Sequence, residues 1–187
     1  MKSQVRIIGG RWRGRKLAVT EAPGLRPTPD RIRETLFNWL APVCRGARVL
    51  DCFAGSGALG FEAVSRGAAA LVALEQHPGA VKSLRDQARA FEADNVEILA
   101  GDACHNVARL DDAFDIVFID PPYAEPRLRD RVFAALEAGN LLADGARIYF
   151  EWPKGESFDL PSKHLHWSKH KTAGQVEYAV AEWQVSR

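Results

Sequence analysis

The 187-residue sequence predicts an α/β fold with a mostly parallel, doubly wound sheet, and three patterns indicate it. From about residue 46 onward, short apolar segments alternate with amphipathic ones, as in repeated strand–helix–strand units. The apolar segments are nearly continuous, which is typical of parallel strands buried on both faces. Two late segments alternate more clearly around Gly174, so we expect an antiparallel hairpin to close the sheet.

The first 27 residues predict a basic β-hairpin arm and a connector that precede the core. The segments "QVRII" and "KLAVT" flank "GGRWRGR", whose glycines suit a turn. Residues 1–33 carry nine basic and two acidic side chains, so their net charge is +7 and that of the remainder is −6. This asymmetry indicates contact with a polyanion such as RNA, in which the basic side chains would contact phosphates and the indole would stack on bases. A solvated, charged hairpin is the alternative interpretation of the same composition. The predicted RNA-binding residues are Arg11, Trp12, Arg13, Arg15 and Lys16.

A leading helix is predicted at residues 28–41. Thr28 suits its N-cap, Pro29 the first helical position and Asp30 the first turn. Apolar residues then recur at helical spacing on one face, which we expect to be buried. They are Ile32, Leu36, Trp39 and Leu40. Pro42 is expected to end the helix.

Residues 46–187 are predicted to form the α/β core, and the whole chain, 1–187, to be one domain. Each strand is followed by a helix until the final hairpin. The expected strands are 48–53, 70–75, 96–101, 114–120 and 146–152, and the hairpin strands are 164–173 and 175–185. The expected helices are 57–67, 78–93, 103–110 and 128–138.

The composition argues against several classes of protein. No apolar run approaches the roughly 20 residues of a membrane span, and the N-terminus lacks the pattern of a secretory signal. The three cysteines have no C-x-x-C spacing, which argues against a zinc site or a disulfide framework and fits a reducing compartment. We therefore expect a cytoplasmic protein without a metal site, and as a separate prediction we expect it to be a monomer.

A glycine-rich turn follows the first core strand. Gly55, Gly57 and Gly60 satisfy G-x-G-x-x-G between a strand and a helix, where the backbone approaches a ligand closely. Glu75 ends the next strand, in a position to bind a ribose diol. Taken alone, this pattern also predicts a nicotinamide dinucleotide site.

Four acidic residues end or follow successive strands, and they favour a different ligand. The carboxyl ends of parallel strands meet at one edge, where such sheets bind ligands. A carboxylate just before the glycines would repel a pyrophosphate but suits an ammonium group. S-adenosylmethionine combines an amino acid end, a ribose and an adenine with a cationic reactive centre. The four acids are Asp51, Glu75, Asp102 and Asp120.

Several motifs carry a resemblance to known methyltransferases. "DCFAGSG", Glu75, "GDA" at 101–103 and "DPPY" at 120–123 resemble class I, Rossmann-like, S-adenosylmethionine-dependent enzymes that methylate amino groups. "RIIGGRWRGRKL", "LRPTPDRIRETLFNWL" and "GQVEY" extend the resemblance over nearly the whole chain to the RsmD family. Members of that family methylate N2 of one guanine in bacterial 16S ribosomal RNA.

The resemblance implies roles for the residues of these motifs. The glycine-rich turn would hold the methionine portion of the cofactor, Glu75 the ribose hydroxyls, and Asp102 with Ala103 the adenine. The implied cofactor-binding residues of the turn are Phe53, Ala54, Gly55, Ser56 and Gly57. Asp51, which precedes the turn, is predicted to bind the cofactor as well.

"DPPY" then has a chemical interpretation. The lone pair of an exocyclic base amine is delocalised into the ring, so the nitrogen is a poor nucleophile. The Asp120 carboxylate and the Pro121 carbonyl would accept its two N–H bonds and orient the lone pair, and the prolines would hold these acceptors rigidly. Tyr123 offers a ring on which the base can stack.

The predicted function is S-adenosylmethionine-dependent methylation of the N2 amine of a guanine in 16S rRNA, within an assembling small ribosomal subunit. Asp-Pro-Pro-Tyr alone does not distinguish guanine N2 from adenine N6 or cytosine N4. A DNA adenine-N6 methyltransferase is therefore an alternative. Two others are a nicotinamide-dependent oxidoreductase and a non-catalytic RNA-binding module.

Overall fold

The computed structural model describes residues 4–19, 28–122 and 125–185. Its strands are β1 (Gln4–Arg6), β2 (Lys16–Ala18), β3 (Arg48–Asp51), β4 (Ala70–Glu75), β5 (Val96–Ala100), β6 (Phe114–Ile119), β7 (Leu142–Pro153), β8 (Leu165–Ala173) and β9 (Val176–Trp183). Its helices are α1 (Asp30–Cys44), α2 (Ala58–Ser65), α3 (Pro78–Ala90), α4 (Ala103–Val107) and α5 (Pro126–Ala138).

Seven strands form one sheet in the order β5-β4-β3-β6-β7-β9-β8. The first five strands are parallel to one another, whereas β9 pairs antiparallel with both β7 and β8. The predicted mostly parallel sheet with a C-terminal antiparallel hairpin is therefore confirmed. The chain leaves β3 toward β4 and β5 and returns on the other side with β6, so the strand order reverses between β3 and β6.

Helices cover both faces of this sheet. On one face, α1, α2 and α3 pack with the N-terminal hairpin over β3, β6 and β7, through residues such as Phe37, Phe61 and Phe118. On the other face, α4 and α5 pack through Val107 and Phe133 over alternate residues of the same strands. The near-continuous apolar strands are explained by burial on both sides.

The ends of α1 differ from the prediction. Pro29, not Thr28, is the N-cap, and no side chain caps this end. Thr28 is buried, and its carbonyl accepts a hydrogen bond from Nε of Arg33. Pro42 does not stop the helix, which continues to Cys44. A proline removes only one backbone donor, and the loss is tolerated so near the C-terminal end.

The N-terminal hairpin forms as predicted, but it packs on the core. β1 and β2 pair antiparallel with Val5 opposite Leu17. Trp12 is buried, with ring centroids 4.9 Å from Phe91 and 6.2 Å from Phe61. In this arrangement the indole of Trp12 packs in the protein core, and its stacking on RNA bases stays a prediction.

A buried carboxylate fastens the hairpin to α2. Glu62 accepts the backbone N–H groups of Ile8 and Gly9, each at 2.8 Å, and its charge faces the guanidinium groups of Arg33 and Arg66. Arg33 is fully buried and also donates to the carbonyl of Arg6. Because the buried charges of Arg33 and Glu62 are paired and hydrogen-bonded, they stabilise one position of the arm.

Candidate active site at the carboxyl edge of the sheet

The four predicted acids lie at the edge where the parallel strands end. Asp51 and Glu75 are the last residues of β3 and β4, while Asp102 and Asp120 closely follow β5 and β6. β3 and β6 are neighbours, and Asp51 is opposite Phe118, two residues before Asp120. Ligands of open α/β sheets bind where the strand order reverses, which here lies between Asp51 and Asp120.

The glycine-rich turn is built into this edge. Gly55 and Gly57 have φ of 53° and 78°, a region that favours glycine. A Cβ at Gly57 would lie 2.6 Å from the ring of Phe61 and 2.7 Å from Leu84, so only glycine fits. The turn is fastened to β4 by the N–H of Ala54, which donates to the Leu74 carbonyl at 2.9 Å. Between the two glycines, Ser56 is partly exposed, as is Phe53 before them.

Glu75 joins this turn to the next strand. Its Oε2 accepts the N–H of Gly55 and its Oε1 accepts the N–H of His77, each at 2.8 Å. Each carboxylate oxygen has a further lone pair, so two ligand hydroxyls can still donate to Glu75. The carboxylate thus holds the glycine turn in place and keeps acceptors for a diol.

Asp51 is a buried acid, 3% exposed, with no ion-pair partner among the described residues. Burial raises its pKa to about 7, although hydrogen bonds from the backbone N–H groups of Phe53 and Gly60 oppose the rise. The negative charge of Glu75 raises it further. A site that holds a desolvated carboxylate beside a second one favours a cationic ligand.

Asp102 is the N-cap of α4. One carboxylate oxygen accepts the N–H of His105 at 2.9 Å, and the residue is exposed. Ala103 is buried at the first position of the helix. Here the first backbone N–H groups of a helix have no intrahelical acceptor, so a ring nitrogen of a ligand can accept one.

Asp120 and Pro121 follow β6 directly, with Asp120 partly exposed and Pro121 buried. The pKa of Asp120 lies well above its usual range, because burial disfavours the charged form and because Glu151 and Asp51 add negative charge nearby. Tyr123, the third predicted catalytic residue, lies outside the described residues.

Glu151 is a site residue that the sequence reasoning missed. It lies in β7, where Tyr149 donates a hydrogen bond from its hydroxyl to Oε2 of Glu151 at 2.7 Å. A signal was present, since "ARIYFEW" is apolar except for Arg147 and this acid. Glu151 and Tyr149 are two residues apart and hence share one face of the strand.

The predicted RNA-binding arginines divide into two groups. Arg11 and Arg15 fold back, with guanidinium groups 4.3 Å from the Trp12 ring centroid and 3.9 Å from that of Phe91. Arg15 also donates to the Ala90 carbonyl at 2.6 Å. Arg13 and Lys16 are exposed and form no ion pair within the described parts of the chain.

The turn of the arm contacts the end of α2 opposite to the glycine-rich turn. Arg11 donates its backbone N–H to the carbonyl of Ser65, the last residue of α2. Gly57 precedes the first residue of the same helix, and eight residues of helix span about 12 Å.

Comparison with known proteins identifies the family. The model of a family described as conserved hypothetical protein 95 matches residues 5–182. The chain belongs to this family, the RsmD family. Ribosomal RNA small subunit methyltransferase D of Escherichia coli K12 is 47% identical over 94% of this chain and 88% of its own length. The protein of the same name from Haemophilus influenzae is 39% identical over 95% and 93%.

A solved structure supports the assignment to the RsmD family. The Escherichia coli protein yhhF, described as a methyltransferase, superposes with a TM-score of 0.90 at 40% identity, covering 97% of this chain and 99% of that one. The predicted methyltransferase fold is confirmed by this likeness. In the described parts of this member of the family, no helix is long and apolar enough to cross a membrane.

Proposed function

We propose that this chain transfers a methyl group from S-adenosylmethionine to the N2 amine of a guanine in small-subunit ribosomal RNA. The observation that carries the proposal is the position of Asp120 and Pro121 beside Asp51 and the glycine-rich turn, across the β3–β6 pair. A methyl-donor site and an acceptor for a base amine are thereby neighbours. The relatives named ribosomal RNA small subunit methyltransferase D support the RNA class.

The residues at the sheet edge fit S-adenosylmethionine. Asp51 is buried without a cationic partner in the described structure, and an ammonium group of the ligand would supply one. Glu75 keeps lone pairs for two ribose hydroxyls, and Asp102 with the start of α4 offers an acceptor and a donor for adenine. When bound, S-adenosylmethionine supplies an electrophilic methyl group on a sulfonium.

The acceptor side acts on the amine. The carboxylate of Asp120 and the carbonyl of Pro121 accept one N–H each, which draws the lone pair out of conjugation with the ring. Fixed proline φ angles hold both acceptors before the base arrives. In its ionised form, Asp120 also accepts the proton that the nitrogen must lose after methylation, and its raised pKa makes this carboxylate a stronger base.

The substrate we propose is a folded ribonucleoprotein. The relatives named ribosomal RNA small subunit methyltransferase D support RNA of the small subunit as the substrate. We propose that an assembling small subunit presents the guanine unpaired, which spares the few kcal/mol that extrusion from a helix requires. We also propose that the enzyme works as a cytoplasmic monomer in which Arg13 and Lys16 contact phosphates, with Tyr123 as the stacking partner of the base.

The test is transfer of a labelled methyl group to small subunits, to free 16S rRNA and to DNA in parallel, followed by digestion to nucleosides. We expect N2-methylguanosine from small subunits at a rate at least tenfold above that from free rRNA. Methyladenine from DNA would overturn the proposal. Equal rates with free rRNA would overturn only the preference for an assembled particle.

A further inference from the structure

Glu151 lies in β7 next to β6, the strand that Asp120 directly follows. β6 and β7 are parallel, with Phe118 opposite Tyr149 and Ile119 opposite Phe150. Asp120 follows Ile119, and Glu151 follows Phe150. Side chains two residues apart share a face, so both acids lie on the face that carries Phe118 and Tyr149. Burial raises the pKa of Asp120 most, and the negative charge of Glu151 raises it further.

Glu151 is also held in a defined position. The ring of Tyr149 is buried and packs edge-on against Phe118, with centroids 6.2 Å apart, while its hydroxyl donates to Oε2 of Glu151. On the other side, β9 places Tyr178 opposite Glu151, and Trp39 of α1 stacks on Tyr178 at 5.4 Å. The hydrogen bond from this buried tyrosine therefore fixes the orientation of the Glu151 carboxylate.

The two acids together match the edge of one base. Guanine presents N1–H and an N2 amine side by side, which are donors only, whereas adenine presents an acceptor at N1 beside its amine. We propose that Glu151 determines specificity for guanine by accepting N1–H, beside the amine held by Asp120 and Pro121. The inference rests on the proposed function and deepens it. For adenine or any base with an unprotonated N1, the Glu151 carboxylate would face a lone pair.

This arrangement predicts discrimination at N1 that the amine itself does not provide. 2-Aminopurine keeps the N2 amine of guanine, but its N1 is an acceptor. The probe is therefore the small subunit reconstituted with 16S rRNA that carries either guanine or 2-aminopurine at the nucleotide that the wild-type enzyme methylates. We expect the wild type to prefer guanine by at least about 100-fold in kcat/KM, because a site built around a substrate donor rejects an analogue that lacks it.

Glu151→Gln should reduce that preference to less than about tenfold. An amide can turn its NH2 group toward the N1 of 2-aminopurine, while its oxygen can still accept from guanine. 2-Aminopurine also lacks O6, but this loss affects both enzymes equally, so the ratio of the two preferences isolates the contact at N1. Tyr149→Phe, which keeps the ring and removes only the hydroxyl, should weaken the preference in the same direction.

Two controls separate recognition from a general loss of structure. Glu177 is the residue before Tyr178, and its carboxylate lies 3.1 Å from Nε2 of His170. Glu177→Gln should leave the preference for guanine unchanged. Asp120→Asn should slow both substrates together, because both carry the amine. If the wild type methylates guanine N2 and Glu151→Gln keeps the full preference, the role of Glu151 is wrong while the proposed function stands. If the wild type does not methylate guanine, both fail.

Discussion

At Asp51, a single buried carboxyl links the stability of the protein to its ligand. Its folded pKa of about 7 exceeds the value of about 3.9 for an unfolded aspartate, so between these pH values the folded state binds more protons. Stability from this group is therefore fully present below pH 4 and falls as pH rises toward 7. The loss is on the order of 4 kcal/mol. A cationic ligand offsets this cost by pairing with the charge.

We therefore predict that Asp51→Asn increases the free energy of unfolding at pH 8 relative to the wild type, and weakens cofactor binding. Denaturant unfolding at pH 5 and pH 8 measures the first effect, and calorimetry with S-adenosylmethionine measures the second. For the wild type, affinity should rise with pH up to about 7, and the variant should lose this rise. A wild-type affinity that falls between pH 5.5 and 7 would contradict the role of Asp51.

At the scale of the elements, the hairpin arm is fixed to α2 by close backbone contact. Gly10 has φ of 76°, and a Cβ there would overlap the carbonyl oxygen of Ser65. Gly14, in the same turn, has φ of 84° with no atom within 4 Å of its added Cβ. The two glycines thus share a backbone conformation and differ in how closely the core approaches.

Gly14→Ala should cost about 1–2 kcal/mol in unfolding free energy, from the left-handed backbone alone. Gly10→Ala should cost roughly 1–3 kcal/mol more, because the new methyl group forces the arm away from α2. Urea unfolding of both variants gives the comparison. Equal losses would show that the contact with Ser65 adds nothing to the attachment of the arm.

The exposed charges of the arm give a second prediction at this scale. The double variant Arg13→Ala/Lys16→Ala should weaken binding to small subunits and reduce the slope of log affinity against log salt by about 2, one for each phosphate contact. Lys82→Ala/Arg89→Ala is the matched control, because Asp86 already pairs with both of those exposed cations. An unchanged slope in the first variant would exclude these two side chains from the RNA interface.

Over the whole molecule, the sequence predicts the features that short segments encode. It does not predict the features that arise when distant segments pack together. Strand ends, the glycine turn and the acids that follow it are set by short sequence segments, so their meeting at one edge follows from a parallel sheet. The burial of Trp12 depends on Phe61 and Phe91, which are distant in the chain. Glu151 was missed for a similar reason, since only the pairing of β6 with β7 brings it to Asp120.

The central claim is that Asp120 acts on the acceptor amine while the neighbouring acids hold the methyl donor. Its most direct test is Asp120→Asn, with methyl transfer to small subunits and S-adenosylmethionine affinity measured on the same preparation. We predict a fall in kcat of at least roughly 100-fold, as for loss of a positioned proton acceptor, with the cofactor Kd within about threefold of the wild type. Unchanged kcat, or a loss of activity that follows entirely from lost cofactor binding, would contradict the claim.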